Sequence, residues 1–154
     1  LFLIYISLFC GLIYYNLFYN IEIKNLIFFL LLISIMSDVG GYLVGKSFGG
    51  RKLTTLSPNK TFSGSLGAFI FSILTAFFYW NFLEKQNLLI LIVVSIICSL
   101  FTQIGDLIFS YIKRKAEVKN TGKLLPGHGG LLDRIDGILL GFPAGLLALK
   151  LLNS

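Results

Sequence analysis

Charge is scarce in this sequence: only 13% of its 154 residues are Asp, Glu, Lys or Arg, and seven acidic side chains face thirteen basic ones. With 56% apolar residues and a mean hydropathy of +0.86, so little charge excludes a soluble domain with a polar exterior. Only two cysteines occur, Cys10 and Cys98. Both sit in apolar stretches without a nearby partner or metal-ligand spacing, so they are read as small core or lipid-facing residues. There is no low-complexity segment and no repeat of fixed period. An initial methionine is also lacking: Leu1 already lies in an apolar run, and an upstream part is expected to be missing. Leu1 to Tyr19 has no basic leader and no small-residue cleavage site, so it reads as a span and not as a signal peptide.

What remains is a chain whose solvent is the bilayer. A span needs about 20 mostly apolar residues. Five segments qualify as helices, roughly Leu1 to Tyr19, Leu26 to Val44, Ser65 to Leu83, Leu88 to Phe109 and Gly137 to Leu152, because only a helix satisfies its own backbone in lipid. The last is short for a full crossing. The fold class expected is all-α: a polytopic bundle of about five transmembrane helices with two long cytoplasmic loops, residues 45–64 and 110–136, forming one transmembrane domain over 1–154. Ten of the thirteen basic residues fall in those two loops, which the positive-inside bias makes cytoplasmic. The net charge of +6 is assigned to orientation and to anionic head groups or phosphorylated substrates, and nucleic acid is not expected as a partner. A small bundle with open faces makes a homodimer plausible.

Ionisable groups in spans are costly and mark function by default, which singles out Asp38 and Asp106 near helix ends. Asp38 and Tyr42, four apart, share a helix face expected to point into the bundle, where a structural role is also open. The second long loop, Ser110-Tyr-Ile-Lys-Arg-Lys-Ala-Glu-Val-Lys-Asn-Thr-Gly-Lys-Leu-Leu-Pro-Gly-His-Gly-Gly-Leu-Leu-Asp-Arg-Ile-Asp136, interleaves bases, glycines and carboxylates. Lys113, Arg114, Lys119 and Arg134 suit phosphate oxygens. Gly127, Gly129 and Gly130 allow close backbone approach to a phosphate. Asp133 and Asp136 share a face if the last helix begins early, and with Asp106 they could hold a hard divalent cation. Bases for phosphate beside carboxylates for Mg²⁺ is the combination that phosphoryl and nucleotidyl transfer need. The competing reading is a solvated basic loop that binds acidic lipid head groups.

The run Ser110–Asp136, with its Lys-Arg pair, its further lysine and Leu-Pro-Gly-His-Gly-Gly-Leu-Leu-Asp-Arg-Ile-Asp, resembles the signature of the phosphatidate cytidylyltransferases, or CDP-diglyceride synthases. The resemblance extends to Gln103-Ile-Gly-Asp106-Leu, to Ser37-Asp38-Val-Gly-Gly-Tyr42-Leu-Val-Gly45-Lys46 and to Leu56-Ser57-Pro58-Asn59-Lys60-Thr61, and so covers most of the chain, while the usual additional N-terminal spans are absent. Two positions depart from the pattern: Asn120 and Ser63 stand where the family has carboxylates. The resemblance implies transfer of CMP from CTP to phosphatidic acid, giving CDP-diacylglycerol and pyrophosphate. It further implies a Mg²⁺ requirement, room for a second cation, and a bacterial inner-membrane location with the site facing the cytoplasm. It implies that Asp106 and Asp133 hold the metal, with Asp136 a ligand or a partner of the ligands. Lys113, Arg114, Lys119 and Arg134 would bind the triphosphate or the lipid phosphate, with Ser110, Gly129 and Gly130 beside them and Lys60 and Ser57 on the opposite wall. His128, the only histidine, is read as a hydrogen-bond donor or loop-ordering residue in preference to a general base, because a phosphate monoester is already largely ionised near neutral pH. Three other readings stay open: a non-catalytic membrane scaffold, a CTP-dependent enzyme acting on isoprenoid lipids, and, ranked last, a transporter.

Overall fold

A computed structural model describes residues 2–19, 24–54, 60–82, 87–118 and 132–153. Five helices carry the fold: α1 (Phe2–Tyr19), α2 (Lys24–Phe48), α3 (Phe62–Trp80), α4 (Leu88–Lys115) and α5 (Leu132–Leu152). Among the described residues α2 to α5 are long and apolar enough to cross a membrane, and α1 adds a shorter apolar run, Ile4–Tyr15. The protein is therefore an integral membrane helical bundle. Helix α5 is longer than the sequence suggested, and its 21 residues reach about 30 Å at ~1.5 Å per residue, enough to span the hydrocarbon core.

Three helix ends lie beyond the apolar segments. Helix α2 runs past Val44 to Phe48, α4 past Phe109 to Lys115, and α5 starts at Leu132, ahead of Gly137. Hydropathy falls where charges begin, but Lys and Arg are good helix formers and the backbone ladder continues past the last apolar residue. Local chemistry sets the true ends. Gly49 and Gly50 have positive φ (59° and 108°), and Gly49 N–H donates back to the Gly45 carbonyl at 3.0 Å, closing α2 with residues that tolerate the left-handed turn. Thr61 caps α3, its hydroxyl accepting from Gly64 N–H, and Asn87 caps α4 by accepting from Leu89 N–H. Lys113, Arg114 and Lys115 occupy the last turn of α4, where cations suit the helix dipole.

Helix α2 packs mainly on α3 and α4 mainly on α5; α3 also meets α4, while α1 touches only α2 and α5 at the periphery. The dry core fills one half of the bundle: Phe29, Leu30 and Ile33 of α2, Leu91, Val94 and Cys98 of α4, and Phe142, Leu146 and Leu149 of α5. Phe9 of α1 meets Phe142 edge-on at 5.7 Å. Cys98 is buried there and Cys10 is exposed, matching the core and lipid-facing assignments. Nearer the other end the buried residues turn polar, to Ser34, Ser37, Ser99 and Thr102.

Two close helix contacts position that polar end. Between α2 and α3 a Cβ on Gly40 would lie 2.7 Å from the Gly67 carbonyl, and one on Gly64 would lie 2.8 Å from the Gly41 carbonyl. Between α4 and α5 a Cβ on Gly105 would lie 3.1 Å from the Asp136 carbonyl. Small residues at such crossings let backbones approach where no side chain fits.

Candidate active site

Successive turns of α4 place Gln103, Asp106, Ser110 and Lys113 on one stripe, at spacings of three and four residues. Asp106 lies about two and a half turns below the end of α4, and Asp38 about as far below the end of α2. Along the helix axis neither stands at an end, because these helices extend further than the apolar segments do; Asp106 is half-buried and Asp38 is exposed. Two lysines meet the carboxylates. Lys60 Nζ donates to Asp106 Oδ2 at 2.8 Å, and Lys113 Nζ to Asp136 Oδ2 at 3.1 Å. Both pairs are largely shielded, with side-chain exposures of 29% and 20% for the first and 15% and 13% for the second. Asp106 and Asp136 come within hydrogen-bonding reach of each other. Two lysine–carboxylate pairs therefore form one polar cluster across α4 and α5.

The backbone fixes each partner. Lys60 stands just ahead of α3, held by a short antiparallel pairing in which Leu53 N–H donates to the Lys60 carbonyl at 2.8 Å and Phe62 N–H to the Arg51 carbonyl at 3.1 Å. Asp136 lies in the second turn of α5, where its Oδ1 accepts from Gly137 N–H at 3.0 Å. Gly137 is what lets Asp106 approach, since a Cβ there would sit 2.6 Å from Asp106 Oδ1. Ser63 shares a hydrogen bond of 3.0 Å with the Thr61 hydroxyl and donates to the Gly49 carbonyl. It joins the end of α2 to the start of α3, a bond that a carboxylate, having no donor, cannot make.

Beside the cluster opens a cavity of about 250 Å³ between α2, α3 and α4. Asp38, Lys60, Ser65, Gln103 and Asp106 supply its polar wall, and Ala68 and Leu107 its apolar one. Asp38 and Tyr42 do share a face, as their spacing requires, but the face turns to this cavity and its rim instead of the packed interior. Tyr42 is 64% exposed and receives a hydrogen bond from Lys46 Nζ at 3.3 Å.

The sequence-derived candidates divide into three groups. Lys60, Asp106, Lys113 and Asp136 are brought together, with half-buried Ser110 on the same stripe of α4. Arg114 is exposed on the last turn of α4, outside both ion pairs. Asp133 and Arg134 fall in the first turn of α5, with Asp133 three residues from Asp136 on the same face; their side chains lie outside the described residues. Ser57, Lys119, Asn120, Gly127, His128, Gly129 and Gly130 lie outside them altogether. Gln103 and Ser65 join the cavity without having been singled out for it. An uncharged amide on the stripe of Asp106 was the available signal for Gln103, whereas Ser65 looked like the first residue of an apolar span.

For a metal the residues present fit in part. Asp106 and Asp136 offer adjacent carboxylate oxygens, the donors that a hard divalent cation takes. Among the described residues no group of three candidate ligands converges, so a third oxygen has to come from elsewhere, and Asp133 is one turn from Asp136.

Comparison with known proteins gives a consistent picture. The sequence pattern of the cytidylyltransferase family matches residues 1–152. The phosphatidate cytidylyltransferase of Staphylococcus aureus (strain COL) is 42% identical over 130 residues, covering 83% of this chain and 49% of that protein. Its Bacillus subtilis (strain 168) counterpart is 39% identical over 134 residues, covering 81% and 50%. The chain spans about half the length of the curated relatives it matches. Among solved structures, an intramembrane enzyme for archaeal membrane lipid biosynthesis superposes with a TM-score of 0.57 at 20% identity, over 77% of this chain and 75% of that one, a likeness of fold.

Proposed function

The chain belongs to the cytidylyltransferase family, and from that premise we propose that the protein transfers CMP from CTP to phosphatidic acid, releasing pyrophosphate and forming CDP-diacylglycerol. The observation that carries this reading is the pairing of Lys60 with Asp106 and of Lys113 with Asp136 in one cluster. Cations of the kind that suits phosphate oxygens stand there beside carboxylates of the kind that suits a hard metal ion, at the polar end of a membrane bundle. A scaffold has no need to bury two such pairs, since each carries a desolvation cost.

In the reaction a phosphate oxygen of phosphatidic acid attacks the α-phosphorus of CTP. The bond from that phosphorus to the bridging oxygen of the β-phosphate breaks, and pyrophosphate leaves. The nucleophile is already largely ionised near neutral pH, so no side chain has to remove a proton and none forms a covalent intermediate. Lys60 and Lys113 bind and orient phosphate oxygens and offset the charge that builds in the transition state. Asp106 and Asp136, with Asp133 as the proposed third, would hold Mg²⁺, which when bound polarises the phosphate oxygens. The shielding of the cluster keeps water from the α-phosphorus. By the positive-inside bias of Lys46, Arg51, Lys52, Lys60 and Lys113 to Lys115, the site faces the cytoplasm of a bacterial inner membrane.

The test is formation of CDP-lipid and pyrophosphate by the purified full-length protein in nanodiscs with CTP, phosphatidic acid and Mg²⁺, with an isoprenoid phosphate as competing acceptor. Activity that needs phosphatidic acid, stops with EDTA and is lost in Asp106→Asn is expected. A folded protein that turns over no CTP overturns the reading, and preference for the isoprenoid phosphate overturns its acceptor.

A further inference from the structure

The cavity beside the ion pairs contains polar groups that the transfer step leaves without a task. The Asp38 carboxylate lines it within electrostatic range of Lys60 and Asp106, and among the described residues no donor is hydrogen-bonded to it. Nor does it complete a three-ligand metal group with Asp106 and Asp136. On the same cavity Gln103 is clamped: its Oε1 accepts from Ser65 Oγ at 2.5 Å and its Nε2 donates to Ser99 Oγ at 3.4 Å. Ser99 Oγ is in turn bonded to Ser37 Oγ at 2.8 Å, one residue before Asp38. A chain of hydroxyls and an amide thus ties α3, α4 and α2 together behind the cavity. Since an amide nitrogen carries two donors and Ser99 takes one, a second N–H remains for a ligand.

We propose that Asp38 and Gln103 read the base of the nucleotide, Asp38 accepting from the exocyclic amino group of cytosine and Gln103 Nε2 donating to the adjacent ring nitrogen. The proposal rests on the nucleotidyl-transfer reading above and adds the origin of its selectivity. An acceptor and a donor lining one cavity match the amino group and ring nitrogen of cytosine, and a carboxylate accepting from that amino group is a recurrent pairing. Uracil reverses both: its carbonyl oxygen would face the Asp38 carboxylate, and its ring N–H the Gln103 donor. Ala68 and Leu107 supply apolar contact for a flat ring. The Lys60–Asp106 pair on the same cavity places the phosphates next to the base.

The test measures equilibrium binding of CTP, UTP and the CTP analogue lacking the 4-amino group to the full-length protein in nanodiscs, without acceptor lipid. The parent is expected to prefer CTP to both. Asp38→Asn, which can donate as well as accept, is expected to lower the CTP-to-UTP affinity ratio about tenfold to a hundredfold while changing affinity for the amino-free analogue little. Asp38→Glu is expected to recover part of the ratio. If Asp38→Asn weakens all three nucleotides equally, Asp38 serves charge balance or the fold, and the proposal is overturned. Should that variant not fold, Gln103→Leu replaces it, and an unchanged ratio overturns the proposal just as well. A parent that binds CTP and UTP alike overturns base reading but leaves the transfer reading standing, whereas a parent that binds neither removes the transfer reading itself.

Discussion

At the scale of single residues, the polar cluster depends on charges placed where water is scarce. The backbone of Lys60 is anchored by a hydrogen bond at its own carbonyl and another at Phe62 N–H, which sets the point from which its ammonium reaches Asp106. Removing it costs the compensation of a shielded carboxylate and, on the proposed reading, a phosphate donor. Lys60→Met and Lys113→Met are each expected to lower kcat/KM for CTP by about 10²–10³-fold, the magnitude typical of losing one preorganised electrostatic contact. Steady-state kinetics in nanodiscs checks this, and Arg114→Met, on an exposed turn outside both pairs, is expected to cost less than tenfold. Ser63 carries a different lesson. The sequence reading, by resemblance, expected a carboxylate at this position; the serine instead joins two helix ends through a hydroxyl donor, a role legible only from its partners, Gly49 and Thr61.

At the scale of elements, the site is made by pairs of helices meeting without side chains between them. Asp106 and Asp136 belong to different helices, and Gly105 and Gly137 permit the crossing that brings them together. Gly137→Ala is expected to push Asp106 aside, to destabilise the bundle by about 1–3 kcal/mol as overpacking does, and to lower turnover more than nucleotide binding. Thermal unfolding followed alongside CTP binding and turnover checks this. Gly11, around which an added Cβ meets nothing within 4 Å, is the control, and Gly11→Ala is expected to leave all three unchanged. The helix ends show why a hydropathy profile misjudged the elements. The profile records where lipid contact ends, whereas α2 runs on to the turn at Gly49 and Gly50 and α4 to the turn at Ala116 and Glu117, and the start of α5 at Leu132 moves Asp133, Arg134 and Asp136 from an expected loop onto a helix.

At the scale of the molecule, the bundle core is apolar at one end and polar at the other, and among the described residues Lys46, Arg51, Lys52, Lys60 and Lys113 to Lys115 flank the polar end, while Lys24 and Lys150 lie at the opposite one. Cysteine substituted for Lys52, in a background with Cys10 and Cys98 replaced by Ala, is expected to react with a membrane-impermeant maleimide only from the cytoplasmic side, and cysteine substituted for Asn87 only from the opposite side. Labelling in the reverse sense would turn the site outward, away from the compartment that holds CTP. The apolar face of α3, including Leu66, Leu74, Phe77 and Phe78, is exposed and suits contact with lipid. An Arg at Leu74 is expected to cost roughly 2–3 kcal/mol of insertion free energy, measurable as loss of membrane-integrated protein.

The sequence by itself determined that the chain lives in a bilayer, that it is helical, and that bases and carboxylates collect at one end. Hydropathy and charge are properties of composition and order along the chain, and a bilayer sorts segments by them directly. The motif around Asp106 and Ser110 to Asp136 also pointed to Asp106, Lys113 and Asp136, which the structure brings into one polar cluster and to which we assign the proposed chemistry. Tertiary structure alone decided that Lys60 answers Asp106 while Lys113 answers Asp136, and that Asp38, Ser65 and Gln103 share one cavity. Lys60 is 46 residues from Asp106 and Lys113 is 23 from Asp136. No local periodicity records pairings at such separations; they follow from which helices cross and how closely, and that is set by glycines meeting backbone in three dimensions.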